Sequence, residues 1–144
     1  MGYEEALQLI EKAKIKGETT LDLSDQNLSK LPRKLFQRRK RTSVVLWNDK
    51  LTQLPPKLFK SLRVTTLLLD GNQLTELSPE LVTLTNLNVI DISYNRIAKI
   101  PPEVVHLPNL REFHLDHNPL TSPPYELAVQ GIEAIREYFT SAEE

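Results

Sequence analysis

The sequence predicts an α/β solenoid: five stacked turns carrying a short parallel sheet, with a helix at each end. Three observations carry that prediction. Large apolar residues recur at a period of 23 in five separate columns. Within each period two of them stand two apart, the spacing of a strand that buries one face. Outside the periodic stretch the apolar spacing changes to the three-four pattern of amphipathic helices. The chain of 144 residues divides as one domain: a helical segment at 1–20, repeats at 21–43, 44–66, 67–89, 90–112 and 113–124, and a second helical segment at 125–144.

The first column reads Leu21, Val44, Leu67, Ile90 and Phe113, and the second Leu23, Leu46, Leu69, Ile92 and Leu115. The third is Leu28, Leu51, Leu74, Ile97 and Leu120. The fourth is Leu31, Leu54, Leu77, Ile100 and Pro123, and the fifth Leu35, Leu58, Leu81, Val104 and Leu127. No single turn can bury its apolar strand face alone, but stacked turns share one continuous core. Parallel strands need a long crossover, which the remainder of each repeat supplies. Pro32, Pro55, Pro101 and Pro124, with Ser78 in the third repeat, follow the fourth column, where the chain leaves the sheet and needs no amide donor.

At the N-terminal end, Tyr3, Ala6, Leu7, Ile10 and Ala13 share one helical face over residues 3–16. Glu4 and Glu5 open that helix, Lys12, Lys14 and Lys16 close it, and Gly17 stops it. At the other end Leu127, Ala128, Ile132, Ile135, Tyr138 and Phe139 predict one helix over 125–139 after Pro123-Pro124.

The runs Leu67-x-Leu69-x-x-Asn72-x-Leu74-x-x-Leu77 and Ile90-x-Ile92-x-x-Asn95-x-Ile97-x-x-Ile100-Pro101 resemble the leucine-rich repeat, over residues 21 to about 130. The resemblance implies a horseshoe arc with one strand per repeat on its concave side. It also implies an inward asparagine bonding the backbone of neighbouring turns at Gln26, Asp49, Asn72, Asn95 and Asn118. Gln26 is too long by a methylene and an ionised Asp49 has no donor, so a local shift in the first two repeats is an open expectation. The stretches Asn118–Pro124 and Gln130–Ile135 resemble the last repeat of intracellular leucine-rich domains of the Ras-group-related and Roco types. That resemblance implies an alternative role as input domain of a larger signalling GTPase, on a chain running past Glu144.

Composition removes several classes of function. With no cysteine there is neither a disulfide framework nor a thiol nucleophile. The opening Met1-Gly2-Tyr3-Glu4-Glu5 lacks the basic-then-apolar pattern of a secretory signal, so a cytoplasmic location is expected. The formal glycosylation triplet Asn27-Leu28-Ser29 then carries little weight. None of the four glycines precedes a Gly-Lys-Ser/Thr phosphate loop. Asp91, His114, Asp116 and His117 are candidate metal ligands or acid–base groups by residue type, but a flat strand face does not converge four ligands. The expectation is no enzyme, no cofactor, no metal and no small-molecule substrate.

Charge is divided along the chain. Residues 1–66 hold 14 Lys and Arg against 7 Asp and Glu, whereas residues 67–144 hold 4 against 12. The basic run includes Arg33, Lys34, Arg38, Arg39, Lys40 and Arg41, with Arg38 and Arg41 in columns that hold leucines in later repeats and Phe36 and Phe59 expected to fill the gap. It reads as a solvated face, as an anion, nucleic-acid or membrane-surface contact, or as an import signal or a pairing surface for the acidic half.

The residues between the core columns face outward. Asp22, Val45, Leu68, Asp91 and His114 form one row; Ser24, Trp47, Asp70, Ser93 and Asp116 form the next, with Tyr94 and His117 at strand ends. Val45, Leu68 and Trp47, the only tryptophan, are expected to form an exposed apolar patch ringed by Asp70, Asp91 and Tyr94. The expected partner is another protein, bound by a monomer on this face through Asp22, Val45, Trp47, Leu68, Asp70, Asp91, Tyr94, His114 and Asp116.

Overall fold

The computed structural model describes residues 2–37, 41–47, 49–54 and 63–142. Leu58, Phe59, Pro55 and Arg38 to Lys40 lie outside that set, as do the side chains of Phe36 and Arg41. The described residues form an α/β repeat fold. Its sheet has five parallel strands in sequence order: β1 (Thr20–Asp22), β2 (Arg41–Val45), β3 (Arg63–Leu68), β4 (Val89–Asp91) and β5 (Glu112–His114).

The 23-residue period of the sequence is the register of the sheet. Leu21 pairs with Val44, Val44 with Leu67, Leu67 with Ile90, and Ile90 with Phe113. Among the described pairs the period slips once. Arg41 and Thr42 pair with Arg63 and Val64, but Ser43 pairs with Thr66, so β3 takes up Thr65 as an extra residue. This irregularity lies at the start of β2 and β3 and not at the ladder positions where a shift was expected: Asp49 accepts the Leu28 amide at the same 21-residue separation as the later asparagines. The irregularity brings Val64 into the core at 1% exposure.

The first three columns are buried throughout, and in the last two Leu31, Leu77, Ile100, Leu35, Leu81 and Val104 are buried as well. Pro123 is buried, while Leu54 and Leu127 are half-buried. On the side opposite the strands, 3-10 helices occupy Arg33–Gln37, Pro79–Thr83 and Pro102–His106. The short helix α2 (Tyr125–Ala128) takes the equivalent place in the last turn. Ser78 opens the second of these by accepting the Glu80 amide at 3.2 Å, a role the prolines of the same column cannot play.

Helix α1 spans Gly2–Lys16 and buries Ala6, Ile10 and Ala13 in the common core beside β1. Gly17, at φ 67°, ends it, and the Glu18 amide bonds Ala13 O at 2.9 Å. Tyr3 departs from the expected apolar face: it is exposed, and Ala6, Ile10 and Ala13 pack into the core with Leu9 partly buried against it. The single C-terminal helix expected over 125–139 is two helices. Gly131 adopts φ 112°, closed to other residue types, and breaks the run between α2 and α3 (Ile132–Ala142). The break lets Ile132, Ile135 and Phe139 turn back onto the core. Arg136 of α3 reaches the preceding turn, donating to Leu107 O at 2.9 Å and Leu110 O at 3.2 Å. None of the described helices is long and apolar enough to cross a membrane.

Candidate functional site

A ladder of polar side chains inside the fold holds the strand ends in place. Asn72 Oδ1 accepts the Leu51 amide at 3.2 Å, while its Nδ2 donates to Leu46 O and Leu69 O at 2.7 and 2.9 Å. Asn95 repeats the pattern with Leu74, Leu69 and Ile92, and Asn118 with Ile97, Ile92 and Leu115. Asp49 continues it on one side only. Its Oδ1 accepts the amides of Gln26 and Leu28, both at 3.0 Å, but Oδ2 is buried without a partner where the asparagines donate. Burial drives the Asp49 carboxyl above its ordinary pKa, with the nearby Asp25 charge adding to the rise and the backbone amides opposing it. Gln26 falls out of the ladder; its amide nitrogen turns to Ser24 O at 3.2 Å.

The backbone one residue before Gln26, Asn72, Asn95 and Asn118 is unusual. Asp25, Gly71, Tyr94 and His117 all have positive φ, between 58° and 74°. Glycine meets that demand freely and aspartate or histidine tolerate it, but a tyrosine there is uncommon. Tyr94 is held in place by Asp116 O, which accepts its amide at 2.9 Å. Its ring projects outward at 58% exposure and stacks on His117, with centroids 4.2 Å apart and planes 7° from parallel. The sequence placed Tyr94 at a strand end but not in a ring pair. The signal was the column Asp25, Asn48, Gly71, Tyr94, His117, rich in residue types that accept positive φ.

Trp47 stands on the same face at 42% exposure. Ser24 Oγ accepts its amide at 3.1 Å, and its side chain acts to lower the Asp70 pKa. The net direction for Asp70 is nevertheless upward. Desolvation is the main cause and the Asp91 charge the second, and Asp70 Oδ1 is a buried acceptor without a partner.

The expected open apolar patch is corrected. Val45 is only 9% exposed and Leu68 is half-buried, leaving Trp47 as the exposed apolar residue of the three. Val45 sits mid-sheet between Asp22 and Leu68, its partners on β1 and β3, so neighbours on both sides shield it. Ser93, expected to face solvent, is buried at 7%, its amide bonded to Asp91 Oδ1 at 2.9 Å. Asp22, His114 and Asp116 are exposed and Asp91 half-buried; His114 Nε2 lies 3.3 Å from Glu112 Oε1. Among the described residues no three His, Asp or Glu side chains gather as a metal would need. Of the basic run, Arg33 and Lys34 are exposed on the first 3-10 helix, and Lys34 Nζ lies 3.9 Å from Glu11 of α1. Arg41 opens β2, and Arg38, Arg39 and Lys40 lie outside the described residues.

A parallel sheet built one strand per 23-residue turn, with an asparagine ladder at the strand ends, defines a class of repeat protein. The family model for the leucine rich repeat matches residues 62–120, the stretch that holds β3, β4 and β5, so leucine-rich repeats are present there. Domains of this family generally mediate protein–protein interaction and are typically non-catalytic. No curated protein matches the chain significantly.

Proposed function

We propose that this protein is a non-catalytic interaction module, a short leucine-rich-repeat solenoid that binds a protein partner on the concave face of its sheet. In this reading the repeats extend beyond the matched segment to the first two turns, which pair in the same sheet. Helices α1 and α3 cap the two ends of the arc, keeping the terminal strands' apolar faces from water.

One observation carries the proposal. The inward columns are almost wholly buried, yet the only tryptophan and Tyr94 stand open on the strand side, each fixed by neighbouring turns. Exposed aromatic anchors on a rigid frame, surrounded by polar groups, are how an interface concentrates its energy. The face is small: five strands at ~4.8 Å spacing and about five residues of strand give ~320 Å² before side-chain relief. A standard interface takes about 800 Å² per partner. The partner therefore reaches onto the loops that follow the strands, where Tyr94 and His117 lie, or binds weakly.

The test is affinity capture with the wild-type chain and with Trp47→Ala, followed by titration of the captured protein against both. Trp47→Ala is expected to lower affinity about tenfold or more while the melting profile is unchanged. Equal affinity for both forms rejects the sheet face as the binding surface.

A further inference from the structure

We infer that the partner segment held on this face is cationic: an extended, arginine- or lysine-rich peptide lying across β3 to β5 between Trp47 and the Tyr94–His117 pair. The inference rests on the interaction-module reading and adds the chemistry of the partner.

The charge on the face is one-sided. Its four outward rows begin with Thr20, Asp22, Ser24 and Asp25 and repeat at the register of the sheet. Among the described residues of those rows there are six carboxylates and no lysine or arginine. A chain whose net charge is only −1 has placed its basic residues elsewhere: Arg63 and Arg111 lie at the strand starts, and Arg33 and Lys34 on the opposite side of the turn.

Two features separate this surface from acids scattered in solvent. First, Asp70 and Asp91 crowd each other, since the Asp91 charge adds to the rise in the Asp70 pKa, and Asp70 Oδ1 has no donor. A guanidinium or ammonium group set against this carboxylate pair supplies the missing opposite charge. Second, Asp70 and Asp91 stand near aromatic residues, Asp70 one turn after Trp47 and Asp91 on the strand that leads to Tyr94. Trp47 acts on the Asp70 carboxyl, and the Tyr94–His117 stack spans two turns with Tyr94 exposed at 58%. Cations are attracted to the faces of such rings, and arginine also stacks on them. Carboxylate beside an open aromatic face suits a cationic side chain and repels an acidic one.

Because Trp47 is the only tryptophan, its emission reports occupancy directly. The intact chain is titrated with octa-arginine and, separately, with octa-glutamate, in about 150 mM salt, where the screening length is ~8 Å. Octa-arginine is expected to give a saturable change in emission, and octa-glutamate none. Asp70→Asn with Asp91→Asn should weaken octa-arginine binding about tenfold. Glu76→Gln with Glu126→Gln, which removes the same charge from exposed sites off the face, should change it by less than about twofold. Asp91→Asn alone, which keeps the oxygen that accepts the Ser93 amide, should show a smaller loss in the same direction. No saturable response to octa-arginine, or equal weakening by the two charge-matched pairs, overturns the inference. If octa-arginine fails while Trp47→Ala still loses a captured protein, the interaction module stands and its cationic partner falls. If Trp47→Ala loses nothing, the parent reading falls with it.

Discussion

Asp49 Oδ1 accepts the Leu28 amide at 3.0 Å, the same bond at the same length that Asn118 Oδ1 makes to Ile97. An aspartate thus does half of an asparagine's work in the second rung. The other half is undone, because Oδ2 is buried without a partner. Asp49→Asn should therefore stabilise the fold at neutral pH by about 1–2 kcal/mol, the usual scale for a buried polar group left unmade. The sign with pH follows from linkage. Burial raises the carboxyl above 3.8 in the fold, so the folded state holds this proton more tightly than the unfolded chain. Stability from Asp49 is full below pH 3.8 and is lost as pH rises through the raised folded value. Urea unfolding of both forms should show a small advantage for asparagine in acid, growing as pH rises; an advantage that shrinks with rising pH would refute the assignment.

Asn95 bonds four backbone groups on two consecutive turns, Leu69 and Leu74 on one and Ile92 and Ser93 on the next. Asn95→Ala leaves those groups buried and unpaired. A loss of about 2–4 kcal/mol is expected in chemical denaturation, larger than for an exposed asparagine such as Asn109.

Much of this architecture was legible because a stacked repeat turns sequence period into sheet register. Leu21, Val44, Leu67, Ile90 and Phe113 are one column in the chain and one line across the sheet. Thr65 was not legible: a bulge before the apolar columns leaves their later spacing intact, so the period shows no break. The division of the C-terminal helix turned on Gly131, which a three-four pattern on both sides conceals.

Gly131→Ala tests that division. No atom lies within 4 Å of an added Cβ, so space is not at issue, but φ 112° is strained for any side chain. Destabilisation of about 1–2 kcal/mol is expected, with α3 loosening first in hydrogen exchange.

Tyr94 separates stability from function. Asparagine accepts its φ of 58° more readily than tyrosine does. Tyr94→Asn should change stability by less than about 1 kcal/mol, since relief of backbone strain offsets the lost stack on His117. Partner affinity should nevertheless fall. A variant that melts normally and binds normally would remove Tyr94 from the surface.

The outward face of the sheet is less legible in the sequence than the core. Alternation placed Asp22, Trp47, Asp91, His114 and Asp116 on the outer side, but it carries no measure of lateral shielding. Val45 therefore looked open when its neighbours on β1 and β3 cover it. The Tyr94–His117 stack depends on two positive-φ residues a full turn apart, which no local pattern reports.

The interaction-module account rests on Trp47, exposed at 42% on a sheet whose other face is buried. Its most direct test is the dissociation constant of a captured partner for wild type and for Trp47→Ala, with thermal melting of both forms recorded alongside. An affinity loss of about tenfold or more at unchanged melting temperature is the predicted result. Equal dissociation constants at equal melting temperature would contradict the account.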